Sequence, residues 1–211
     1  MTAAHRNSSL LDVAPVIPVV VMHDAEHAVP LARALAAGGL PIVELTLRTP
    51  AALEAIANVT REVPETLVGA GTVVEPKQAQ AAAEAGARFL VSPGSTPPLL
   101  DAMAETGLPC LPGVATVSEA LALLERGLTE MKLFPAEPAG GVALLKSLVS
   151  PLPGARFCPT GGITAESAPD YLALPNVGCV GGSWLTPPDL LRDGDWDGVT
   201  ALARAASRLS G

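Results

Sequence analysis

Eight times along this chain a short apolar run is followed by a segment of helical period, and that alternation constrains the fold more than any single residue does. The runs fall at 16–21, 42–46, 67–70, 88–91, 109–111, 131–134, 156–158 and 177–180. Helices are expected over 24–37, 50–63, 76–85, 97–105, 117–126, 142–148 and 165–172, and in a terminal segment holding Leu202, Ala205, Ala206 and Leu209. Runs that are apolar throughout, rather than alternating, predict parallel strands covered on both faces. Eight such units close naturally into an α/β fold of the (β/α)8 barrel (TIM barrel) type. An open doubly wound sheet usually has fewer strands and carries a dinucleotide fingerprint, which is missing here.

With 49% hydrophobic and only 3% aromatic residues, the interior must be filled by Val, Leu, Ile and Ala, which suits such layers. One barrel domain over residues 1–211 is the expectation. Ser8-Ser9 before Leu10-Leu11 predicts a capped short N-terminal helix across the barrel bottom. Pro30 is awkward in a helix that begins at Asp24, so the helix must start late or bend.

Composition narrows the classes of partner. The formal net charge is −8, with no basic stripe and few rings to stack on bases, which argues against nucleic acid. The opening MTAAHRNSSLLDVAP lacks the uncharged core of an export signal, and no later segment offers 18 consecutive apolar residues. A cytoplasmic protein with no membrane partner is expected. Cys110, Cys158 and Cys179 are far apart in strand-like runs and are expected as buried free thiols.

Lys132 is the feature with most chemical content. It is one of three lysines and the only one inside an apolar run, Met131-Lys132-Leu133-Phe134. Loss of water around its ammonium favours the neutral amine that attacks carbonyls, so Lys132 is a candidate Schiff-base nucleophile. On this reading Lys132→Ala removes imine formation at modest cost in stability, because it takes a charge out of an apolar site. Lys77 and Lys146 fall in stretches that read as helix surface.

A barrel gathers the C-terminal ends of its strands around one mouth, and the unusual polar residues fall there. Glu44 sits between Ile42, Val43 and Leu45, so it needs a partner or must hold its proton, and either state serves proton transfer. Arg48, four residues on, offers a planar pair of donors for an anionic group, or pairs with Glu44 structurally. Gly71-Thr72 follow the third strand, Thr160-Gly161-Gly162 the seventh and Gly181-Gly182-Ser183 the eighth. The two double glycines fit backbone cradles for phosphate, with following helix starts pointing N–H groups at the anion; tight turns use the same residues.

His5 lies in the terminus, His27 reads as helix surface or cap, and His23 follows the first strand and faces either the mouth or solvent. No metal-ligand spacing of the HxH, CxxC or HExxH kind occurs, so neither a metal nor a cofactor is implied. Asp193, Asp195 and Asp197 around Trp196 fit a turn into the last helix better than a calcium loop.

Five ordered segments, 43–49 (VELTLRT), 68–73 (VGAGTV), 131–137 (MKLFPAE), 157–163 (FCPTGGI) and 181–185 (GGSWL), resemble those of the 2-keto-3-deoxy-6-phosphogluconate (KDPG) aldolase / 4-hydroxy-2-oxoglutarate aldolase family. The resemblance runs from about Val16 to the final helix. It implies a class I aldolase in which Lys132 forms the Schiff base and Glu44 shuttles protons. It further implies that Arg48, Thr72 and Thr160 hold the carboxylate and hydroxyl region and that Pro93 lines the pocket. Phosphate is then received by Gly161, Gly162, Gly181, Gly182 and Ser183. A homotrimer and a phosphorylated 2-oxo acid substrate are implied as well. The rival enzyme readings are cleavage of the C4 epimer, 2-keto-3-deoxy-6-phosphogalactonate, and of 4-hydroxy-2-oxoglutarate. A phosphate-binding barrel without catalysis is the rival from another class.

Overall fold

The computed structural model describes residues 9–209, so His5 and Ser8 lie outside the described residues. The apolar runs form nine short parallel strands: β1 (Val16–Val20), β2 (Ile42–Thr46), β3 (Leu67–Gly71), β4 (Leu90–Val91), β5 (Cys110–Leu111), β6 (Gly113–Val114), β7 (Glu130–Leu133), β8 (Arg156–Pro159) and β9 (Val180–Gly182). Hydrogen bonding runs in the order β5-β4-β3-β2-β1-β9 and, separately, β6-β7-β8.

These two arcs close into one barrel of eight staves. β5 and β6 are halves of a single stave interrupted at Pro112, whose carbonyl still accepts from the Lys132 N–H at 2.9 Å. On the other side β8 meets β9 through parallel bridges from Phe157 to Val177 and from Thr160 to Gly181. The eightfold expectation therefore holds, with the fifth strand split and the eighth displaced. Residues 177–178 only bridge to β8, and the ladder with β1 begins at Val180, opposite Val16. Gly181 and Gly182 consequently belong to the strand rather than to a loop after it.

The helices on the outside are α1 (Ala28–Ala37), α2 (Ala52–Glu62), α3 (Pro76–Glu84), α4 (Pro97–Glu105), α5 (Val117–Glu125), α6 (Gly141–Leu148), α7 (Ala168–Leu172), α8 (Pro188–Asp193) and α9 (Trp196–Ala206). Most of them bury an apolar stripe, which in α1 is Ala28, Val29, Leu31, Ala32, Ala34 and Leu35, whereas α8 buries no residue. The α1 helix starts late: Asp24 caps a 3-10 turn over Ala25–His27, which puts Pro30 in the first α turn where its missing N–H is not needed. The terminal region holds two helices rather than one, because Gly194 ends α8 in a left-handed conformation and the Asp195 carboxylate caps α9 by accepting from the Gly198 N–H at 2.9 Å.

At the N-terminal end of the barrel a single 3-10 turn, Leu10–Asp12, is capped by Ser9. Leu10 and Leu11 are buried there, and Arg156 ties the turn to the barrel by donating to Asp12 at 2.6 Å while lying 3.4 Å from Glu130. The Arg156 guanidinium holds the Asp12 carboxyl below its ordinary range. Cys158 and Cys179 are buried free thiols; Cys110 is half-buried, and burial pushes its thiol up to about 11. Among the described residues no helix is long and apolar enough to cross a membrane.

Candidate active site

Side chains alternate along a strand, so residues paired across parallel strands point to the same face. Lys132, opposite Cys158, and Glu44, opposite Val19 and Gly69, come from different arcs of the sheet, so a buried contact between their side chains lies inside the barrel. They meet there. The Lys132 Nζ lies 3.1 Å from Glu44 Oε1 and 3.3 Å from Oε2, with the side chains 5% and 4% exposed. The Phe134 ring stands beside the ammonium, its centroid 5.5 Å from Nζ.

The surroundings of Lys132 are thus not purely apolar, which overturns the expectation of a mild Lys132→Ala substitution. Removing the lysine strands a buried carboxylate, and an orphaned charge costs far more than the loss of a paired one. The alternative pairing of Glu44 with Arg48 is not formed; among the described residues Glu44 makes its salt bridge with Lys132.

Space for the Glu44 carboxylate is made by Gly71 at the end of β3. A Cβ at that position would lie 2.0 Å from Glu44 Oε1 and 2.5 Å from its Cγ. Gly71→Ala should push the carboxylate off Lys132 and cut turnover by ~10²-fold, since displacements of about 1 Å near reacting groups have that effect. Gly94→Ala is the control, because a Cβ there meets nothing within 4 Å. Near-native kcat in Gly71→Ala would show that the carboxylate is not held where the chemistry needs it.

Thr72, the next residue, has φ +58°, a left-handed conformation that a β-branched side chain rarely adopts. It persists because neighbours hold it: the Leu47 N–H donates to the Gly71 carbonyl and the Val73 N–H to that of Val91. The strained turn presents the Thr72 hydroxyl to Arg48, whose Nε donates to it at 3.0 Å. Arg48 is otherwise exposed, leaving the ends of its guanidinium open at the mouth. The structure therefore joins Arg48 to Thr72 and Glu44 to Lys132.

Thr160 follows β8 directly and is buried, with its Oγ1 3.9 Å from the Cys158 sulfur. Its side chain lies over Gly181, where a Cβ would come within 2.1 Å of Oγ1. A Cβ on Gly182 would likewise meet the Trp184 ring at 2.1 Å, and Ser183 is exposed at the rim. Gly161 and Gly162 have φ of +104° and +85° and form a true loop. No helix begins immediately after either glycine pair: α7 starts at Ala168 and α8 at Pro188, so no helix N-terminus directly follows them. Pro93 is half-buried at the end of β4, where its backbone presses on Gly113 of β6.

Three features escaped the sequence pattern. Phe134 reads there as one more apolar residue rather than as the lysine's neighbour. Glu137 accepts a short hydrogen bond from the Tyr171 hydroxyl behind the Gly161-Gly162 loop. Burial, then that contact, raises the Tyr171 phenol above its ordinary range. A cavity of about 550 Å³ at the rim is lined by Val21, His23, His27, Ser183, Leu191 and Arg192 among others. His23 is exposed there, and His27 stands edge-on to Trp196. Among the described residues no three His, Cys, Asp or Glu side chains gather as a metal site.

Known proteins resemble this chain over most of its length. A family model described as "KDPG and KHG aldolase" matches residues 8–202. The KHG/KDPG aldolase of Escherichia coli K12 is 52% identical over 198 residues, covering 94% of this chain and 93% of that protein. The 2-dehydro-3-deoxy-phosphogluconate aldolase of Dickeya dadantii is 53% identical over 197 residues, covering 93% and 92%. Among solved structures, the KDPG aldolase of Legionella pneumophila, which holds pyruvate captured as a covalent carbinolamine, superimposes with a TM-score of 0.91 at 46% identity, covering 93% of this chain and 96% of that one. With that family model spanning nearly the whole barrel and relatives sharing half their residues with it, this chain belongs to the KDPG and KHG aldolase family.

Proposed function

We propose that this barrel, one domain spanning the chain, is a class I aldolase that reversibly cleaves 2-keto-3-deoxy-6-phosphogluconate to pyruvate and glyceraldehyde 3-phosphate. The observation that carries the reading is the buried contact between the Lys132 amine and both oxygens of the Glu44 carboxylate. An amine that must lose a proton to attack, and a carboxylate placed to take it, are the two groups imine chemistry requires.

Protons balance through Glu44. It takes one from the Lys132 ammonium as Nζ adds to the C2 ketone; a second proton passes from the added nitrogen to the alkoxide, making the carbinolamine hydroxyl, and Glu44 returns the first to that hydroxyl, which leaves as water. The protonated imine then draws electrons from the C3–C4 bond while Glu44 removes the C4 hydroxyl proton. Glyceraldehyde 3-phosphate departs and an enamine remains. Glu44 delivers its proton to the enamine carbon, and water hydrolyses the resulting imine to pyruvate and the lysine ammonium. No cofactor or metal enters these steps.

Arg48, held through Thr72, binds the substrate carboxylate, while Thr160 and Pro93 line the hydroxyl-bearing middle. Gly161 and Gly162 receive the phosphate through loop amides, together with Gly181 and Gly182 at the end of β9 and the Ser183 hydroxyl. Binding the far end of the substrate in this way orients the reacting carbons over Lys132. The covalent pyruvate adduct of the Legionella pneumophila relative supports the imine steps. The Zymomonas mobilis aldolase solved with 3-phosphoglycerate, 48% identical with a TM-score of 0.89, supports a phosphorylated ligand. The resemblance also supports a homotrimer, which the solution mass relative to the 21.3 kDa chain tests.

Borohydride reduction in the presence of pyruvate should add one pyruvate-derived group to the tryptic peptide containing Lys132. An unmodified chain would instead favour a ligand-binding barrel. Relative cleavage rates for the two C4 epimers and for 4-hydroxy-2-oxoglutarate then fix the substrate. A second reading, preference for the galactonate epimer, has weaker support: the structure described as native KDPGal is 27% identical to this chain. Faster cleavage of that epimer would nonetheless displace the gluconate assignment.

A further inference from the structure

Glu137 and Tyr171 lie outside the reacting groups yet enclose the loop between β8 and α7. The pairing of β7 with β8 continues beyond both strands: the Ala136 N–H donates to the Thr160 carbonyl at 2.8 Å and the Glu137 N–H to the Gly161 carbonyl at 3.0 Å. From there the Glu137 side chain crosses Gly162, where a Cβ would lie 2.7 Å from the glutamate's own Cβ and Cγ. Its carboxylate is caught on the far side by the hydroxyl of Tyr171, a fully buried side chain of α7. A Cβ on Gly141, the first residue of α6, would stand 2.8 Å from that hydroxyl and 3.5 Å from Glu137 Oε2.

The loop is therefore held in a closed ring. Its two glycines sit between the extension of β7 and a side-chain bridge that returns to the helix following the loop. Both glycines occupy backbone conformations that L side chains rarely adopt, so the loop needs outside support to keep one shape. The bridge also deals with a charge. A carboxylate beside a phosphate site repels its ligand, and the donated phenol hydrogen bond holds this one behind Gly162, over the start of α6.

We propose that Glu137 and Tyr171 are positioning residues that set the Gly161-Gly162 amides for the phosphate of the substrate. This rests on the assignment of phosphate to that loop. Neither residue touches the ketone in this account, so their loss acts on recognition of the phosphate and leaves the imine steps alone.

The experiment compares KDPG with its dephosphorylated counterpart in the wild-type protein and in Tyr171→Phe, Glu137→Ala and Glu137→Gln. Tyr171→Phe and Glu137→Ala should raise KM for the phosphorylated substrate by ~10-fold, with kcat and the dephosphorylated reaction within about twofold of wild type. Glu137→Gln keeps an amide oxygen for the phenol and should retain the wild-type KM. Equal losses on both substrates, or an unchanged KM in Tyr171→Phe, would reduce the bridge to ordinary support of the fold and overturn the proposal. Absence of any preference for the phosphorylated substrate in the wild type would instead sink the phosphate assignment, and the proposal with it. Borohydride trapping of pyruvate should be equal in all four proteins; weaker trapping in Tyr171→Phe would mean that the bridge serves the lysine instead.

Discussion

Lys132→Ala should yield a protein that forms no borohydride-stable adduct with pyruvate, has turnover reduced to background, and is substantially less stable. The loss of activity follows from removing the amine that adds to the ketone. The loss of stability follows from what remains: a Glu44 side chain that is 4% exposed and has lost the ammonium on which both its oxygens rest. Breaking a buried pair from one side costs about 3–5 kcal/mol, because the desolvation of the surviving charge is no longer offset. For a chain of this length that corresponds to a fall in thermal midpoint on the order of 10 °C.

A double variant, Lys132→Ala with Glu44→Gln, separates this account from simple cavity formation. It removes the orphaned charge while keeping the cavity, so it should recover a large part of the lost stability while remaining inactive. If the single variant unfolds at the wild-type temperature, the pair does not matter to the fold in the way its burial implies. If the double variant is no more stable than the single, packing rather than charge accounts for the loss.

The parts of the molecule that were legible in the sequence are those where one residue contradicts its neighbours. Glu44 and Lys132 are each a charge inside an apolar strand, and closure of the barrel brings β2 and β7 together across 88 residues. The beat of strands and helices was legible because both faces of every stave are covered, which leaves unbroken apolar runs. Pro112 was misleading. It reads as the end of a strand, yet a proline that gives up its N–H still lends its carbonyl to Lys132, so the stave bends and continues as Gly113–Val114.

Other features leave no local mark. Threonine is a poor candidate for a left-handed conformation, so the strain at Thr72 shows only when the neighbouring ladders are in place. Glu137 and Tyr171 each look ordinary, one after a strand and one in a helical segment, and acquire meaning from the loop they enclose. Gly71, Gly181 and Gly182 were legible as a mouth but not in their reasons: each makes room for a particular side chain, those of Glu44, Thr160 and Trp184.

Glu44→Gln should separate the two jobs given to the carboxylate. The amide has nearly the same shape, so it still fits the space over Gly71 and still offers Lys132 an oxygen. It cannot, however, take a proton from the ammonium or from the C4 hydroxyl. Imine formation should therefore persist, more slowly, with water accepting the first proton, and borohydride should still trap pyruvate on Lys132 after longer incubation. Cleavage depends on proton removal within a closed site, and should fall by ~10²- to 10⁴-fold, the usual contribution of a positioned general base. Exchange of the pyruvate methyl protons with solvent deuterium isolates the enamine step, and should fall by a comparable factor because the same carboxylate moves that proton. Were exchange to remain at the wild-type rate while cleavage collapsed, a second group would have to protonate the enamine, and the account in which one carboxylate serves each transfer in turn would fail.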